Sequence, residues 1–277
     1  MNPSDQRAKA TALLELHRGP GILVLPNAWD CVSARLFEQA GFPAIATTSG
    51  GIAAVLGYPD GQRISGREML DMVGRIAKTV SVPVTADLEA GYGSTAGEVA
   101  EFMREAMAAG IVGANLEDGR GHDQPLVEIA DQVAVIKAVR QVAAAIDLPF
   151  VLNARVDAYL HGTGDAASRF AQTVRRANAY RDAGADSLFV IGVRDRETIA
   201  QLVRAIHGPV NIMAGPGSPT VSELQELGVA RVTCGTGLMR GTLPLVRRMA
   251  EELRGTGTYA SFTQTEFTHA VVNQLFA

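Results

Sequence analysis

Short, continuously apolar runs alternate with longer amphipathic stretches along almost the whole chain. Eight runs are legible, at 22–26, 44–48, 82–86, 112–116, 149–153, 187–191, 210–214 and 231–234, the first reading ILVLP and the sixth SLFVI. They lie roughly 20 to 40 residues apart, the spacing of β–α units. Between them the pattern predicts helices over 29–40, 65–80, 94–109, 126–145, 165–183, 194–206, 218–227 and 236–254. Glycine recurs just before a strand, in EQAGFPAIATT, AAGIVGANLED, RDAGADSLFVIG and QELGVARVTCG. That place suits a helix C-cap needing positive φ. VSVPV and IDLPF put proline at strand starts, where no ladder donor is lost.

Eight apolar strands alternating with helices predict a parallel sheet covered on both faces. Eight units at this length close a (β/α)8 TIM barrel over residues 1–255. An open doubly wound sheet is the alternative. Residues 256–277 form an additional C-terminal helical segment with no ninth strand, apolar at Phe262, Phe267, Val271, Val272, Leu275 and Phe276. Either a partner subunit or its own barrel buries that face.

Composition narrows the function. Hydrophobic residues make up 47% of 277, enough for a large core, which excludes general disorder. With 25 basic against 29 acidic residues the net charge is −4, so no nucleic-acid footprint is present. The two cysteines, Cys31 and Cys234, make neither a disulfide framework nor a zinc cluster. The first twenty residues interleave both charges without a long apolar region, and no run is long enough to span a bilayer. These features predict a cytoplasmic protein with neither nucleic-acid nor membrane partners.

In a parallel barrel, chemistry gathers where strand C-termini meet the following loops. The strand-end candidates are Trp29 with Asn27 and Asp30; Thr48, Ser49, Gly50 and Gly51, with Asp60 further on; Asp87, Glu89 and Tyr92; Asn115, Glu117 and Asp118; and Asn153, Arg155 and Asp157. Carboxylates crowded at one mouth need a cation among them, either Arg155 or a hard divalent ion with oxygen ligands. Asp118 and Asp157 are expected instead to cap the helices that follow them. Thr48 to Gly51 offer hydroxyls and free backbone N–H groups, which suit a carboxylate or phosphate. The three lysines, Lys9, Lys78 and Lys137, all lie away from strand ends, which argues against a Schiff-base aldolase. No histidine pair has metal-ligand spacing. His122 and His161 fall in loops after strands four and five, as solvated residues or as a general acid. Tyr92 is placed to donate a proton or to pack.

Taken together, LPNAWDCVSARLFEQAGFPAIATTSGGIAA, VTADLEAGYG, ANLEDG and LNARVDAYL resemble the isocitrate lyase/phosphoenolpyruvate mutase superfamily over roughly residues 25–243. The resemblance implies a (β/α)8 barrel that makes or breaks C–C or C–P bonds beside a carboxylate, using Mg2+ or the similarly ligated Mn2+. It assigns the metal to Asp87, directly or through water, with Glu89, Glu117 and Asp60 around it. Glu89 stands where many members carry aspartate and is one methylene longer. Arg155 matches the arginine that holds the substrate and its developing charge. Thr48, Ser49 and Gly50 match the carboxylate-binding loop, with Gly51, Trp29 and Asn153 as further substrate contacts. The gating loop departs from the family. Lyases carry a Lys-Lys/Arg-Cys-Gly-His motif there, and mutases and hydrolases carry lysine and asparagine. Here the segment reads EDGRGHDQPLVEI, and strand six offers Ile191 where the mutase type has histidine.

The acid- and metal-binding half of the family site is thus present, while the familiar acid/base groups are absent. The expected activity is a metal-dependent carbon–carbon lyase or decarboxylase on a small 2-oxo or 2-hydroxy carboxylate, with Arg155, Tyr92 and His122 as catalytic candidates. The alternatives are C–P chemistry on phosphoenolpyruvate or phosphonopyruvate, and a non-catalytic 2-oxoacid-binding protein on a degenerate barrel. The resemblance further implies a homodimer or homotetramer that exchanges its C-terminal helix.

Overall fold

The computed structural model describes residues 2–121, 124–263 and 266–277. Nine parallel strand segments form one sheet: β1 (Leu23–Leu25), β2 (Asn27–Ala28), β3 (Ile45–Thr47), β4 (Val84–Asp87), β5 (Gly113–Glu117), β6 (Val151–Val156), β7 (Ser187–Val190), β8 (Val210–Met213) and β9 (Arg231–Thr233). The first predicted strand ends at Pro26, which has no N–H for a ladder, but the structure carries the strand past it, so β1 and β2 form one strand interrupted at that proline. β1 pairs with β9 and β2 with β3, so the two halves of that strand bring the ends of the sheet together and the eight-unit barrel follows. The carbonyl of Pro26 still accepts from the N–H of Ala46 at 3.0 Å.

Most of the outer helices begin on side-chain caps. α2 (Cys31–Gln39), α4 (Gly66–Thr79), α5 (Ala96–Ala109) and α10 (Val221–Glu226) start with capping boxes built on Asp30–Ser33, Ser65–Glu68, Thr95–Glu98 and Thr220–Glu223. The remaining outer helices are α6 (Ile129–Ala145), an exception that starts without a side-chain cap, α8 (Ala166–Asp182) and α9 (Arg196–Ala205), with a short α7 (Ala158–His161) after β6. At the end of α5, Gly110 sits at φ +108° and turns the chain into β5, as the recurring glycine predicted.

Besides the short α7, two helices stand outside the predicted pattern. α1 (Pro3–Arg18) starts on the Asn2 cap with proline in its first turn and buries Ala10, Leu13 and His17. Leu13 packs beside Gly113, where a Cβ would come within 2.9 Å of its side chain, so α1 seals the barrel floor. α3 (Ser49–Val55) is a short helix directly after β3, capped by Thr48.

α11 (Gly237–Gly255) buries only Met239 of its nineteen residues, leaving Leu243, Val246 and Leu253 at 50%, 60% and 47% exposure. It is followed by α12 (Ala260–Thr263) and α13 (His269–Gln274). The poorly covered segment therefore begins at Gly237, ahead of the boundary at 256 that the apolar pattern suggests. Among the described residues, no helix is long and apolar enough to cross a membrane.

Candidate active site

The C-terminal ends of β3 to β6 bring the predicted acidic groups to one mouth. Asp87 closes β4. Its Oδ2 accepts from the backbone N–H and the hydroxyl of Ser49, at 3.1 and 2.8 Å, and its Oδ1 accepts from the amide of Asn115 at 3.3 Å. The carboxylate thus faces the N-terminus of α3, where the helix dipole favours negative charge. The segment Thr48–Gly51, expected to offer free donors to an anion, is this helix start, and its Ser49 donors are taken by Asp87. Thr48 Oγ1 lies 3.4 Å from the N–H of Gly51 and 3.1 Å from Thr236 Oγ1. Asp60 reaches over the same turn: a Cβ on Gly50 would come within 2.7 Å of its Oδ2, so glycine is needed there for the approach. Trp29 stands beside Gly51 with its ring edge-on to Phe37 at 6.2 Å.

Glu89 is buried, and its backbone is left-handed at φ +52°. Its Oε1 accepts from the Tyr92 hydroxyl at 2.8 Å, and its Oε2 from the N–H of Gln62 at 2.5 Å. Gln62 and Tyr92 are also left-handed, at φ +54° and +53°, and the N–H of Tyr92 donates to Gln62 Oε1. Three non-glycine residues in this region, hydrogen-bonded to one another, mark a place where the fold stores backbone strain. Burial pushes the Glu89 carboxyl up to about 7; the charges of Asp87 and Asp60 reinforce this, and the Tyr92 and Gln62 donors oppose it. Burial and the neighbouring Glu89 hold the Tyr92 hydroxyl protonated.

Arg155 closes the other side. Its Nε and Nη2 donate to the two oxygens of Asp157 at 2.6 and 3.0 Å. Its Nη1 lies 2.5 Å from Glu117 Oε2, a charge contact without hydrogen-bond alignment. Burial raises the Glu117 carboxyl well above its usual range; Arg155 opposes this, and Asp157, Asp87 and Glu89 add to it. Phe189 lies under the guanidinium, its ring centre 5.9 Å away.

Asp118 and Asp157 do not cap helices as expected. Asp157 stands at the start of α7 but spends its carboxylate on Arg155. Asp118 is fully buried: its Oδ2 accepts from Tyr180 at 2.7 Å and Arg176 at 3.1 Å, and its Oδ1 accepts from the N–H of Asp157 at 2.9 Å. Arg176 also donates to the carbonyl of Val127 at 2.7 Å, tying the end of the gating loop to the same carboxylate. His161, expected as a solvated loop residue or an acid, has a largely buried side chain whose Nε2 is 3.9 Å from Asp157 Oδ2. Asn153 is fully buried one layer below Arg155, where it donates to Asn115 Oδ1 at 2.8 Å. His122 lies outside the described residues.

Among the described residues no three acidic, histidine or cysteine side chains converge into a ready-made metal cage. The donor set nevertheless suits a hard cation that keeps part of its water shell. It is all oxygen, and two of its carboxyls, Glu89 and Glu117, are raised by burial and further by the charge of Asp87. Glu117 Oε2 is buried and has no hydrogen-bond donor.

The family model for phosphoenolpyruvate phosphomutase matches residues 13–254. The chain belongs to this family. An uncharacterised protein of Mycobacterium tuberculosis is 37% identical over 223 residues, 80% of this chain and 81% of that one. The 2-methylisocitrate lyase of Escherichia coli is 31% identical across 88% of this chain and 82% of its own, and the oxaloacetate decarboxylase of Bradyrhizobium diazoefficiens 30% identical across 76% and 72%. A solved structure from Burkholderia cenocepacia, described as a candidate lyase or mutase, superposes with a TM-score of 0.90 at 41% identity, covering 98% of this chain and 97% of that one. This member of the phosphoenolpyruvate mutase family is therefore an enzyme by kinship, in a group of C–C lyases and related mutases and hydrolases.

Three features of its site were not expected from the sequence: the Gln62 bridge to Glu89 and Tyr92, the Asp118–Arg176–Tyr180 cluster, and Arg231 beneath the mouth. Only Arg231 carried a usable signal, a charged residue at the head of an apolar strand run.

Proposed function

We propose that the protein is a divalent-metal-dependent enzyme that cleaves a carbon–carbon bond beside the oxo group of a small 2-oxo or 2-hydroxy carboxylate, as a lyase or decarboxylase. The observation that carries this reading is the meeting of Asp87, Glu89 and Glu117 with Arg155 at one mouth, where burial, reinforced by neighbouring carboxylates, raises two of the carboxyls. The kinship with an oxaloacetate decarboxylase and a 2-methylisocitrate lyase supports it.

Asp87 would hold Mg2+ or Mn2+ directly, with Glu89, Glu117 and Asp60 acting through retained waters. When bound, the ion supplies Lewis-acid polarisation of the substrate's oxo oxygen and stabilises the negative charge that bond cleavage leaves there. Arg155, clamped by Asp157 and Glu117, turns its remaining N–H groups to the substrate and the developing charge. A substrate carboxylate at the start of α3, from Thr48 to Gly51, would have to share the Ser49 donors with Asp87, and Trp29 stands beside Gly51 there. Tyr92 holds a proton at its hydroxyl with Glu89 as acceptor, so this pair stores one proton at the mouth. Asn153 acts from below, by fixing Asn115 beside Asp87.

Calorimetric titration with oxaloacetate, 2-oxoglutarate, pyruvate and phosphonopyruvate, with and without Mg2+, tests the reading, with products followed by NMR. Metal-dependent binding that Asp87→Ala abolishes, together with a C–C cleavage product, is expected. Turnover of phosphonopyruvate alone would move the assignment to C–P chemistry. Metal-dependent binding without any product would make the protein a 2-oxoacid binder, and no binding at all would remove the assignment.

The same proposal includes self-association through the poorly covered α11. Its exposed Leu243, Val246 and Leu253 are the apolar face that a second copy of the chain would cover. A cytoplasmic location fits two free cysteines and the metabolic enzymes among its relatives.

A further inference from the structure

The barrel interior beneath the mouth is polar, and at its floor lies an arginine with no ion-pair partner among the described residues. Arg231 opens β9 and is fully buried. Its Nη1 faces His17 Nε2 at 3.4 Å, its Nη2 reaches Asn115 Oδ1 at 3.4 Å, and its Nε has no partner. His17 gives its Nδ1 proton to the carbonyl of Leu13 at 2.8 Å, which leaves the Nε2 lone pair for the guanidinium. A buried cation without a carboxylate is costly. The opposite charge that acts on it is Asp87, one amide away.

That amide is Asn115. Its Oδ1 takes donors from Asn153 and Arg231, and its Nδ2 then points at Asp87 Oδ1. An asparagine amide has two faces, and occupying its oxygen with donors leaves only the N–H2 for the carboxylate. The chain His17–Arg231–Asn115–Asp87 thus runs from the floor helix α1 to the mouth.

We propose that Arg231 is a positioning residue for the metal-site carboxylate of Asp87, acting through the side-chain amide of Asn115 and seated by His17. The inference rests on the metal reading above. Its sign separates it from simple electrostatics. Taking a positive charge away from the vicinity of a cation site strengthens cation binding, whereas losing the orientation of a ligand weakens it, typically 10- to 100-fold for groups that hold metal ligands in place.

The test is Mn2+ titration by calorimetry on the intact protein, with the Mn2+ EPR spectrum of the bound ion as a second readout. Arg231→Met is expected to weaken Mn2+ binding at least tenfold and to change the EPR line shape, which reports ligand geometry. Asn115→Leu is expected to do the same, and the double variant to lose no more than either single change, because one path is broken twice. Unchanged or tighter binding by Arg231→Met, or additive losses in the double variant, overturns the proposal while leaving the metal reading standing. Failure of the parent protein to bind Mn2+ overturns both. If Arg231→Met does not fold by circular dichroism, Arg231→Lys decides: it keeps the charge without the fork, and parent-like affinity and EPR spectrum in that variant overturn the proposal.

Discussion

The Tyr92 hydroxyl donates to Glu89 Oε1 at 2.8 Å, while both residues sit in left-handed backbone three positions apart. This strained turn drives a carboxyl into a buried place beside two other acids, and Tyr92 satisfies it there. Such strain costs of order 1–3 kcal/mol per residue and persists only where surrounding contacts enforce it. Gln62, itself left-handed, supplies them from the loop before α4.

The raised Glu89 carboxyl makes the metal-free protein lose stability as pH rises. Its value moves from 4.5 to about 7 on folding. Between those values the folded state keeps a proton that the unfolded chain has released, so stability is full below about pH 4.5 and falls until about pH 7. The contribution is about 3 kcal/mol. Urea denaturation in a chelating buffer from pH 4.5 to 8 should show this slope, and Glu89→Gln should flatten it. Identical slopes for the two proteins would contradict the assignment.

Asp157 orients Arg155, so Asp157→Asn should damage both fold and site. Removing one partner of a buried pair costs about 3–5 kcal/mol. Arg155→Lys keeps the charge but cannot make two parallel bonds to Asp157. We expect at least a tenfold loss of 2-oxoacid binding by calorimetry for Arg155→Lys, with Mn2+ binding retained. Undiminished affinity would show that the two-point clamp has no part in ligand binding.

Tyr180 acts further from the mouth. Tyr180→Phe takes a 2.7 Å donor from the buried Asp118, leaving Arg176 as the side-chain donor to that oxygen. The expected cost is about 1–3 kcal/mol in thermal or chemical unfolding. Asp118 also holds the N–H of Asp157, so limited proteolysis near Val127 should quicken and 2-oxoacid affinity should fall. A change confined to the melting temperature would assign the cluster to stability alone.

The apolar face of α11 should control assembly. Replacing Leu243 and Val246 by serine, and separately truncating after Gly257, should lower the mass seen by light scattering. The serine variant should lose less than about 1 kcal/mol of fold stability, because both side chains are exposed. An unchanged mass in both variants would leave the face without a partner copy.

The alternation of apolar runs and amphipathic helices, the glycine turns before strands and the strand-end carboxylates are local properties, carried by residues adjacent in the chain. They determined the barrel, the order of its units and the side of it on which Asp87, Glu89, Glu117 and Arg155 meet. The Asn2-Pro3 start of α1 is a local helix signal too, but what α1 covers is not, because Leu13 and Gly113 are far apart in sequence. The same holds for the division of the first strand at Pro26, which depends on β1 and β2 pairing with opposite ends of the sheet.

Tertiary structure alone decided how each polar group is satisfied. Asp118 and Asp157 sit where caps are expected, yet their carboxylates go to Tyr180 and Arg176 and to Arg155, partners brought in by other elements. Arg231 meets Asn115 across 116 positions, and His17 across 214. A buried polar atom takes whatever donor the closed barrel brings within about 3 Å, and that pairing is set by register and closure, which no stretch of sequence contains by itself.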